Sequence, residues 1–179
     1  LYSEILTVEL ENDFLPFLYP NQYVNFSPDS EASKLALSMV SEDTTDVDAL
    51  KQIYNYVVNN LTYDYDKAET VETGYLPDVD ETLSTKTGIC FDYAALTTAM
   101  LRSCDIPCKL QIGYTGDIKH AWIDVYIRSK GWVTGAVSFN GDSWSLMDPT
   151  FDSSADSDDT EAIQDYIGNA DNYTVQFTR

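Results

Sequence analysis

A chain of 179 residues with 44% hydrophobic and 13% aromatic residues is long enough to bury the core of one globular domain. Its 30 acidic and 10 basic residues give a formal charge of −20, which disfavours nucleic acid and anionic membrane surfaces as partners. Three cysteines are too few for a disulfide framework, and no Cys-x-x-Cys pair is present.

The N-terminal part of the chain has no clear periodicity. Residues 1–26 are rich in aromatic side chains and are interrupted by Pro16 and Pro20. We expect this lead-in to lie across the body of a single domain that is formed by residues 27–179. The chain starts at Leu1 instead of Met, which suggests a processed start, and no signal peptide or membrane-spanning run is visible.

Apolar residues at helical spacing predict two helices after the lead-in. The first covers 27–43, with Ser27 or Ser30 as its cap, and the second covers 45–60. The periodicity then disappears over 62–83, which we interpret as a long loop, and long loops in compact domains are often functional.

The second half of the chain changes from helical to strand periodicity. A third helix is predicted over 90–104, and it is followed by segments that alternate apolar and polar residues. These predicted strands are 108–114, 120–127, 132–139 and 143–149, with a hairpin turn at Asn-Gly-Asp 140–142. Helices followed by antiparallel strands predict an α+β fold. From Asp152 the tail is acidic and serine-rich before a short apolar ending.

Two of the cysteines are interpreted as structural. Cys104 and Cys108 bracket Asp-Ile-Pro, and Pro107 biases the preceding residue towards an extended conformation. This favours a separation too large for a disulfide, so both are expected to be buried free thiols.

Cys90 is the candidate nucleophile. It begins the predicted third helix, where unpaired N–H groups and the helix dipole favour a thiolate, and Gly88 removes side-chain bulk just before it. His120 is the only histidine of the chain and therefore the only imidazole base available. Asp148 closes a strand and can orient the imidazole, whereas Asp124 lies about 13 Å along the strand from His120.

The histidine lies on the less apolar face of its strand. His120 alternates with Trp122 and Asp124, opposite the row Ala121, Ile123, Val125 and Ile127, which predicts a strand covered on both sides. From spacing alone, two interpretations stay open: a Cys-His-Asp triad, or a core cysteine with an incidental histidine.

The longest motifs resemble the transglutaminase-like superfamily. They are "TLSTKTGICFDYAALTTAMLRSCDIPCKLQIGY", then "HAWIDVY" and "LMDPTFD", preceded by "ALKQIYNYVVNNLTYDYD". The resemblance covers roughly residues 31–152. It implies a papain-like core in which the cysteine helix packs on an antiparallel sheet, within a transglutaminase-like domain over 27–179. Matched by position, it implies that Cys90 is the nucleophile, His120 the general base and acid, and Asp148 the orienting carboxylate.

Four further residues are secondary candidates for oxyanion or substrate contacts. The backbone N–H of the nucleophile supplies one oxyanion donor, and Tyr63 or Tyr65 is a candidate for the second. Gly88 and Trp122 are candidates for substrate contacts. The alternative for the two tyrosines is packing at a helix exit.

The sequence departs from the family pattern at two places. An additional hairpin at about 129–143 separates the histidine strand from Asp-Pro-Thr, and it could reshape a substrate cleft. Asp105 stands where relatives have the glycine before Ile-Pro. Neither departure touches the three residues of the implied triad.

The implied activity is thiol-dependent acyl transfer on amide bonds of a protein or peptide, without a cofactor. Water as acceptor would make the protein a cysteine peptidase or amidase, and an amine would make it a cross-linking transglutaminase. The alternative is a non-catalytic binding module on the same fold at a cell surface. The expected location is secreted or cell-surface, with the cytoplasm as the other option.

The acidic stretch "DPTFDSSADSDDTE" raises the idea of calcium binding. Its spacing does not match an EF-hand loop and it lacks the central glycine, so a solvated acidic segment is the preferred interpretation. No metal site is therefore predicted.

Overall fold

The structure is a computed structural model that describes residues 12–134, 137–139, 144–146 and 173–179. Helices come first and antiparallel strands follow, so the predicted α+β fold is confirmed. The helices are α1 Glu31–Met39, α2 Asp46–Asn60, α3 Tyr65–Thr70, α4 Val79–Thr85 and α5 Cys90–Ser103, after a 3₁₀ turn at Leu15–Phe17. The strands are β1 Thr62–Tyr63, β2 Thr87–Gly88, β3 Cys108–Thr115, β4 Ile118–Ile127, β5 Gly131–Val133, β6 Val137–Phe139, β7 Trp144–Leu146 and β8 Tyr173–Thr178.

Helix α5 is buried around its whole circumference from Asp92 to Arg102. Small residues such as Ala95 and Ala99 are fully buried, which lets neighbouring elements approach the helix closely. Its two buried charges stand near opposite ends, with Asp92 in the first turn and Arg102 in the last. This arrangement complements the helix dipole, which favours an anion at the N-terminus and a cation at the C-terminus.

The main sheet has four antiparallel strands in the order β5-β4-β3-β8. Strands β3 and β4 confirm the two strands predicted over 108–114 and 120–127. The row predicted to be apolar joins the hydrophobic core that includes residues of α5, and it consists of Ala121, Ile123, Val125 and Ile127. His120, Trp122 and Asp124 are also buried, so the prediction that β4 is covered on both faces is confirmed.

The strand predicted over 132–139 is two strands. β5 pairs with β4 in the main sheet, whereas β6 pairs with β7 in a separate two-stranded antiparallel sheet. The pairing of β6 with β7 agrees with the predicted hairpin, and the turn itself at 140–142 lies outside the described residues.

The prediction of a long loop over 62–83 was wrong, because three short elements occupy most of this segment. Strand β1 opens the segment, and α3 and α4 follow. The carboxylate of Asp64 caps α3 by accepting from the N–H of Lys67, and Asp78 caps α4 in the same way. Only residues 71–78 remain a loop between helices.

Helix α1 is shorter than its predicted range of 27–43. Ser30 holds the N-cap position, but its hydroxyl accepts from the N–H of Ser27 and makes no cap bond to the helix. The N–H of Ala32 is instead bound by Asp80 of α4 at 2.9 Å. The first turn of α1 is thus capped by a residue distant in sequence, which local patterns do not reveal.

The described part of the lead-in lies across the domain, as expected. The ring of Phe14 packs on Tyr126 at 4.5 Å between centroids, Phe17 packs on Trp132, and Val24 is fully buried. The division between 1–26 and 27–179 stays a prediction.

Arg102 joins the lead-in, the central helix and β8. Its guanidinium donates to the carbonyl oxygens of Tyr19 at 2.7 Å, Cys108 at 2.7 and 3.0 Å, and Arg179 at 3.0 Å. Burial lowers the pKa of Arg102 from its ordinary value, and these carbonyl groups replace the water that the cation has lost.

Candidate active site

Cys90 is the first residue of α5 and is half-buried. The first N–H groups of a helix have no acceptor within the helix, and the positive end of the helix dipole lies there. The start of α5 is therefore suited to hold negative charge on a thiolate and on an adjacent oxygen.

Two short parallel strands bring the predicted tyrosines to the residues that precede Cys90. β1 pairs with β2 so that Tyr63 stands opposite Gly88, and the N–H of Asp64 donates to the carbonyl of Gly88 at 2.9 Å. The ring of Tyr63 packs edge-on against that of Tyr65 at 4.9 Å between centroids. Tyr63, Tyr65 and Gly88 are thus gathered near the start of α5.

Gly88 is buried, and its lack of a side chain has a local reason. A Cβ atom at this position would lie 2.6 Å from the Cβ of Asp92 and 2.9 Å from its Oδ2. The described contacts therefore require glycine for packing against Asp92. The predicted role of Gly88 in substrate approach stays a prediction.

Asp92 is the buried charged residue closest in sequence to Cys90, and the sequence analysis missed it. Its Oδ2 accepts from the N–H of Ile89 at 2.8 Å and from Nζ of Lys67 at 2.8 Å. Its Oδ1 accepts from the hydroxyl of Tyr75 at 2.5 Å, and Lys67 also donates to that hydroxyl at 2.7 Å. A charged residue on an otherwise buried helix was the available signal, since such a group needs partners.

These contacts change how Tyr75 and Lys67 titrate. Burial and the bond to Asp92 raise the pKa of Tyr75 to about 12. Burial lowers the pKa of Lys67, but its hydrogen bonds with Asp92 and Tyr75 outweigh burial and leave that pKa above its ordinary value. Both groups therefore stay protonated at neutral pH, as the network requires.

Aromatic rings flank the residue that follows Cys90. The ring of Phe91 lies 6.4 Å from that of Tyr75 and 6.4 Å from that of Tyr23, centroid to centroid. The lead-in and the segment before α4 thus both contribute to the surroundings of the α5 start.

His120 lies near the start of β4, is buried, and is surrounded by aromatic rings. It stacks on Trp122 with 6.2 Å between centroids and 16° between planes. The ring of Tyr173 of β8 lies beside both rings, with centroid distances of 6.4 Å to His120 and 5.2 Å to Trp122. Trp122 therefore packs against the imidazole, and its predicted contact with substrate stays a prediction.

Gly113 opposite His120 makes room for this ring cluster. A Cβ atom there would clash with the carbonyl oxygen of Thr174 and would lie 3.0 Å from the ring of Trp122. The pairing of β3 with β8 is irregular at this point, between Ile112 and Gly113.

Cys90 and His120 lie at similar path lengths from the turn that joins α5 to β3. Helix α5 rises about 20 Å from Cys90 to its last residue, and the turn at 104–107 returns the chain into β3. Gly113, which pairs with His120, lies about 17 Å along β3 from Cys108. Cys90 and His120 are thus at similar distances from that turn.

Asp124 is engaged by residues other than His120. It accepts from Nε2 of Gln111 at 2.6 Å, and Oε1 of the same glutamine accepts from Thr178 at 2.7 Å. That Asp124 does not orient the imidazole stays a prediction. Asp148 and the acidic stretch considered for calcium lie outside the described residues.

All three cysteines lie in the described part of the chain and are free thiols. Burial raises the pKa of Cys104 to about 11 and that of Cys108 to about 12. Both are free thiols as predicted, but only Cys108 is buried, whereas Cys104 is half-buried. Within the described ranges, no group of three or more His, Cys, Asp or Glu side chains is arranged to hold a metal ion. Nor is any helix of those ranges sufficiently long and apolar to cross a bilayer.

Comparison with known proteins gives relatives of the same fold. The chain is 32% identical over 113 residues to the UPF0252 protein MJ1282 of Methanocaldococcus jannaschii, covering 59% of this chain and 30% of that protein. A crystal structure of a proposed cysteine protease from Cytophaga hutchinsonii matches with a TM-score of 0.61 and 20% identity, over 96% of this chain and 48% of that one. The periplasmic domain of TgpA from Pseudomonas aeruginosa matches with a TM-score of 0.54 and 18% identity, over 81% and 49%.

The chain therefore spans half or less of the length of these relatives. The transglutaminase-like superfamily model matches residues 33–149, a range that contains Cys90, His120 and Asp148. Together with the helix-on-sheet architecture, this match shows that the chain belongs to the transglutaminase-like superfamily and has its α+β, papain-like core.

Proposed function

We propose that this protein is an enzyme that transfers acyl groups from amide bonds through a thioester on Cys90. The observation that supports the proposal is the position of Cys90 as the first residue of the buried helix α5, which packs against β4, the strand that carries the buried His120. Membership of the transglutaminase-like superfamily supports the same chemistry.

The proposed reaction has two halves. His120 accepts the proton of the Cys90 thiol, and Sγ forms a bond to the amide carbonyl carbon. The imidazolium then protonates the leaving amine as the C–N bond breaks, which leaves a thioester. Water or a second amine attacks the thioester, gives its proton to His120, and restores the thiol.

In the tetrahedral intermediate the former carbonyl oxygen carries a negative charge, which hydrogen-bond donors must stabilise. The backbone N–H of Cys90 is the first proposed donor, since it lies in the first turn of α5. Tyr63 and Tyr65 stay candidates for the second, and their proximity to Gly88 supports that role. Asp148 is proposed to orient the imidazole, as the family pattern implies.

The proposed substrate is a protein or peptide amide. The formal charge of −20 favours the approach of cationic substrates such as lysine-bearing chains. We also propose that the protein acts outside the cytoplasm, because one similar solved structure is a periplasmic domain. Fractionation of the producing cells tests that location.

The proposed activity is tested by mass spectrometry of peptide and amine mixtures. The wild type is compared with Cys90→Ala and His120→Ala, and Cys104→Ala is the matched control. Shorter peptides would identify a hydrolase, and peptides joined to amines would identify a transglutaminase.

Loss of product in Cys90→Ala and a fall of about 10³-fold or more in His120→Ala are expected. Equal product from wild type and Cys90→Ala would overturn the proposal. Peptide binding without product would favour the non-catalytic module.

A further inference from the structure

The carboxylate of Asp92 is fully buried two residues after the nucleophile, and the reaction proposed above does not use it. We infer that Asp92 is a positioning residue for Cys90. With Lys67 and Tyr75 it forms what we name the Asp92 latch, which holds residues 64–78 against the start of α5. This inference rests on the proposed role of Cys90 as nucleophile.

The contacts of Asp92 account for its burial. A carboxylate withdrawn from water is stable only if it is paired and hydrogen-bonded. Asp92 receives an ammonium group from Lys67, a hydroxyl from Tyr75 and a backbone N–H from Ile89, all within 2.8 Å. Two of these three donors come from residues 17 and 25 positions earlier in the chain.

The bond to Ile89 fixes the backbone immediately before Cys90. Gly88 packs against the Asp92 side chain, and the N–H of Ile89 points at its Oδ2. The two residues before the nucleophile are therefore held by one carboxylate. Their position determines where α5 begins and where the N–H of Cys90 points.

The same carboxylate anchors the segment 64–78. Several large apolar side chains of this segment face solvent, with Tyr65 64%, Leu76 44% and Val71 37% exposed. Lys67 and Tyr75 turn inward to Asp92, and the ring of Tyr75 reaches Phe91. The latch thus ties the segment to the first turn of α5.

The latch also contributes to the electric field at the start of α5. The ammonium of Lys67 offsets the carboxylate of Asp92, so removal of either partner leaves a single charge near the thiol. Lys67→Met leaves a negative charge that disfavours a thiolate. Asp92→Asn leaves a positive charge that favours one. If Lys67 and Asp92 acted only by holding the fold together, their removal would shift the pH dependence of Cys90 in the same direction in both variants.

The inference is tested by the pH dependence of Cys90 alkylation. Iodoacetamide labelling of the intact protein is followed by mass spectrometry of the Cys90 peptide, with Cys104 as the internal reference. The pH of half-maximal rate should rise by about half a unit or more in Lys67→Met and fall by a similar amount in Asp92→Asn. The double variant Lys67→Met/Asp92→Asn should return towards the wild type.

Two control variants define the specificity of the effect. Lys34→Met removes a lysine from the exposed pair with Glu31 and should leave the Cys90 profile unchanged. Lys67→Arg keeps the charge and should retain most of the wild-type profile. Hydrogen exchange of residues 64–78 should accelerate in Lys67→Met and stay near wild type in Lys67→Arg.

Each result decides the inference. Shifts of the same sign in Lys67→Met and Asp92→Asn, or an unchanged profile in Lys67→Met, would overturn it. If Asp92→Asn does not fold, the comparison of Lys67→Met with Lys67→Arg still decides, since Lys67 is partly exposed. If the wild type converts no amide while the opposite shifts are observed, the proposed function fails and the latch stands.

Discussion

A Cβ atom on Gly88 would lie 2.6 Å from the Cβ of Asp92, a distance that real side chains do not tolerate. Neither neighbour can retreat easily. Gly88 is paired with β1, and Asp92 belongs to the first turn of a buried helix. This contact therefore fixes how the strand enters the helix.

The first prediction concerns this contact. Gly88→Ala should lower the free energy of unfolding by about 2 kcal/mol or more, because the added methyl group overpacks a rigid site. Chemical denaturation measures the loss. Gly74→Ala is the matched control, since Gly74 has open space around it and only its φ of 95° opposes alanine. It should cost about 1 kcal/mol, and an equal or larger loss than in Gly88→Ala would contradict the packing argument.

The second prediction concerns Arg102. Arg102→Met should destabilise the protein by about 3 kcal/mol, because the buried carbonyl group of Cys108 and the partly buried ones of Tyr19 and Arg179 lose a charged donor. Thermal unfolding measures the effect. Arg128→Met is the control, because Arg128 is 66% exposed and pairs with Asp46 at 3.5 Å. Its free energy of unfolding should change by at most about 1 kcal/mol. Similar losses in the two variants would refute the prediction.

The third prediction concerns alkaline pH. An ordinary thiol has a pKa of 9.0, whereas burial raises that of Cys108 to about 12 in the folded protein. Between these values the unfolded state releases a proton that the folded state keeps. The contribution of Cys108 to stability is therefore complete below pH 9 and declines as the pH rises towards 12.

Cys108→Ala should reduce this decline by up to about 1.4 kcal/mol per pH unit, whatever its effect at neutral pH. Denaturant titrations at a series of pH values test it. Cys104→Ala is the companion variant and should have a smaller effect, because the pKa of Cys104 reaches only about 11. Parallel pH curves for wild type and Cys108→Ala would contradict the assignment.

The fourth prediction concerns the residue after α5. Asp105 has a φ of 58°, in the left-handed region that glycine adopts most readily, and its side chain is 85% exposed. Asp105→Gly should raise the unfolding free energy by about 0.5 kcal/mol. Asp105→Val is the opposite control and should lower the unfolding free energy. Denaturation midpoints of the three proteins give the order, and a Val variant as stable as the Gly variant would exclude backbone strain as the cause. A glycine, which the resemblance to the family implies at this position, would fit the same backbone geometry.

Periodicity predicted the long elements of the fold well. Helix α2 and helix α5 agree with their predicted ranges within one or two residues, because α2 buries an apolar face over several turns and α5 is a long run of mostly apolar residues that is buried on every side. Strands β3 and β4 were also predicted, because apolar residues recur at every second position, at 108, 110, 112 and 114 in β3 and at 121, 123, 125 and 127 in β4.

The short elements could not be predicted by the same criterion. Helices α3 and α4 have 6 and 7 residues, less than two turns, so no periodicity develops. Strand β8 alternates Tyr173, Val175 and Phe177, which was a usable signal. Val175 and Phe177 are nevertheless about half exposed, so this alternation does not mark a buried face.

The candidate site was predicted only in part. Cys90 and His120 were identified because a helix start and a single histidine are visible in sequence. The Asp92 latch was not, because Lys67, Tyr75 and Asp92 lie 8 and 17 positions apart and follow no local pattern. Tertiary contacts of this kind are determined by the fold and not by spacing along the chain.

The guanidinium of Arg102 also has a consequence for the order of folding. Its bonds to Tyr19 and Arg179 span 83 and 77 residues, so each closes a long loop whose entropy must be lost first. Such contacts form late, after the local helices. Since one side chain holds both segments, we expect the lead-in and β8 to detach together during unfolding, as a single cooperative unit of hydrogen exchange.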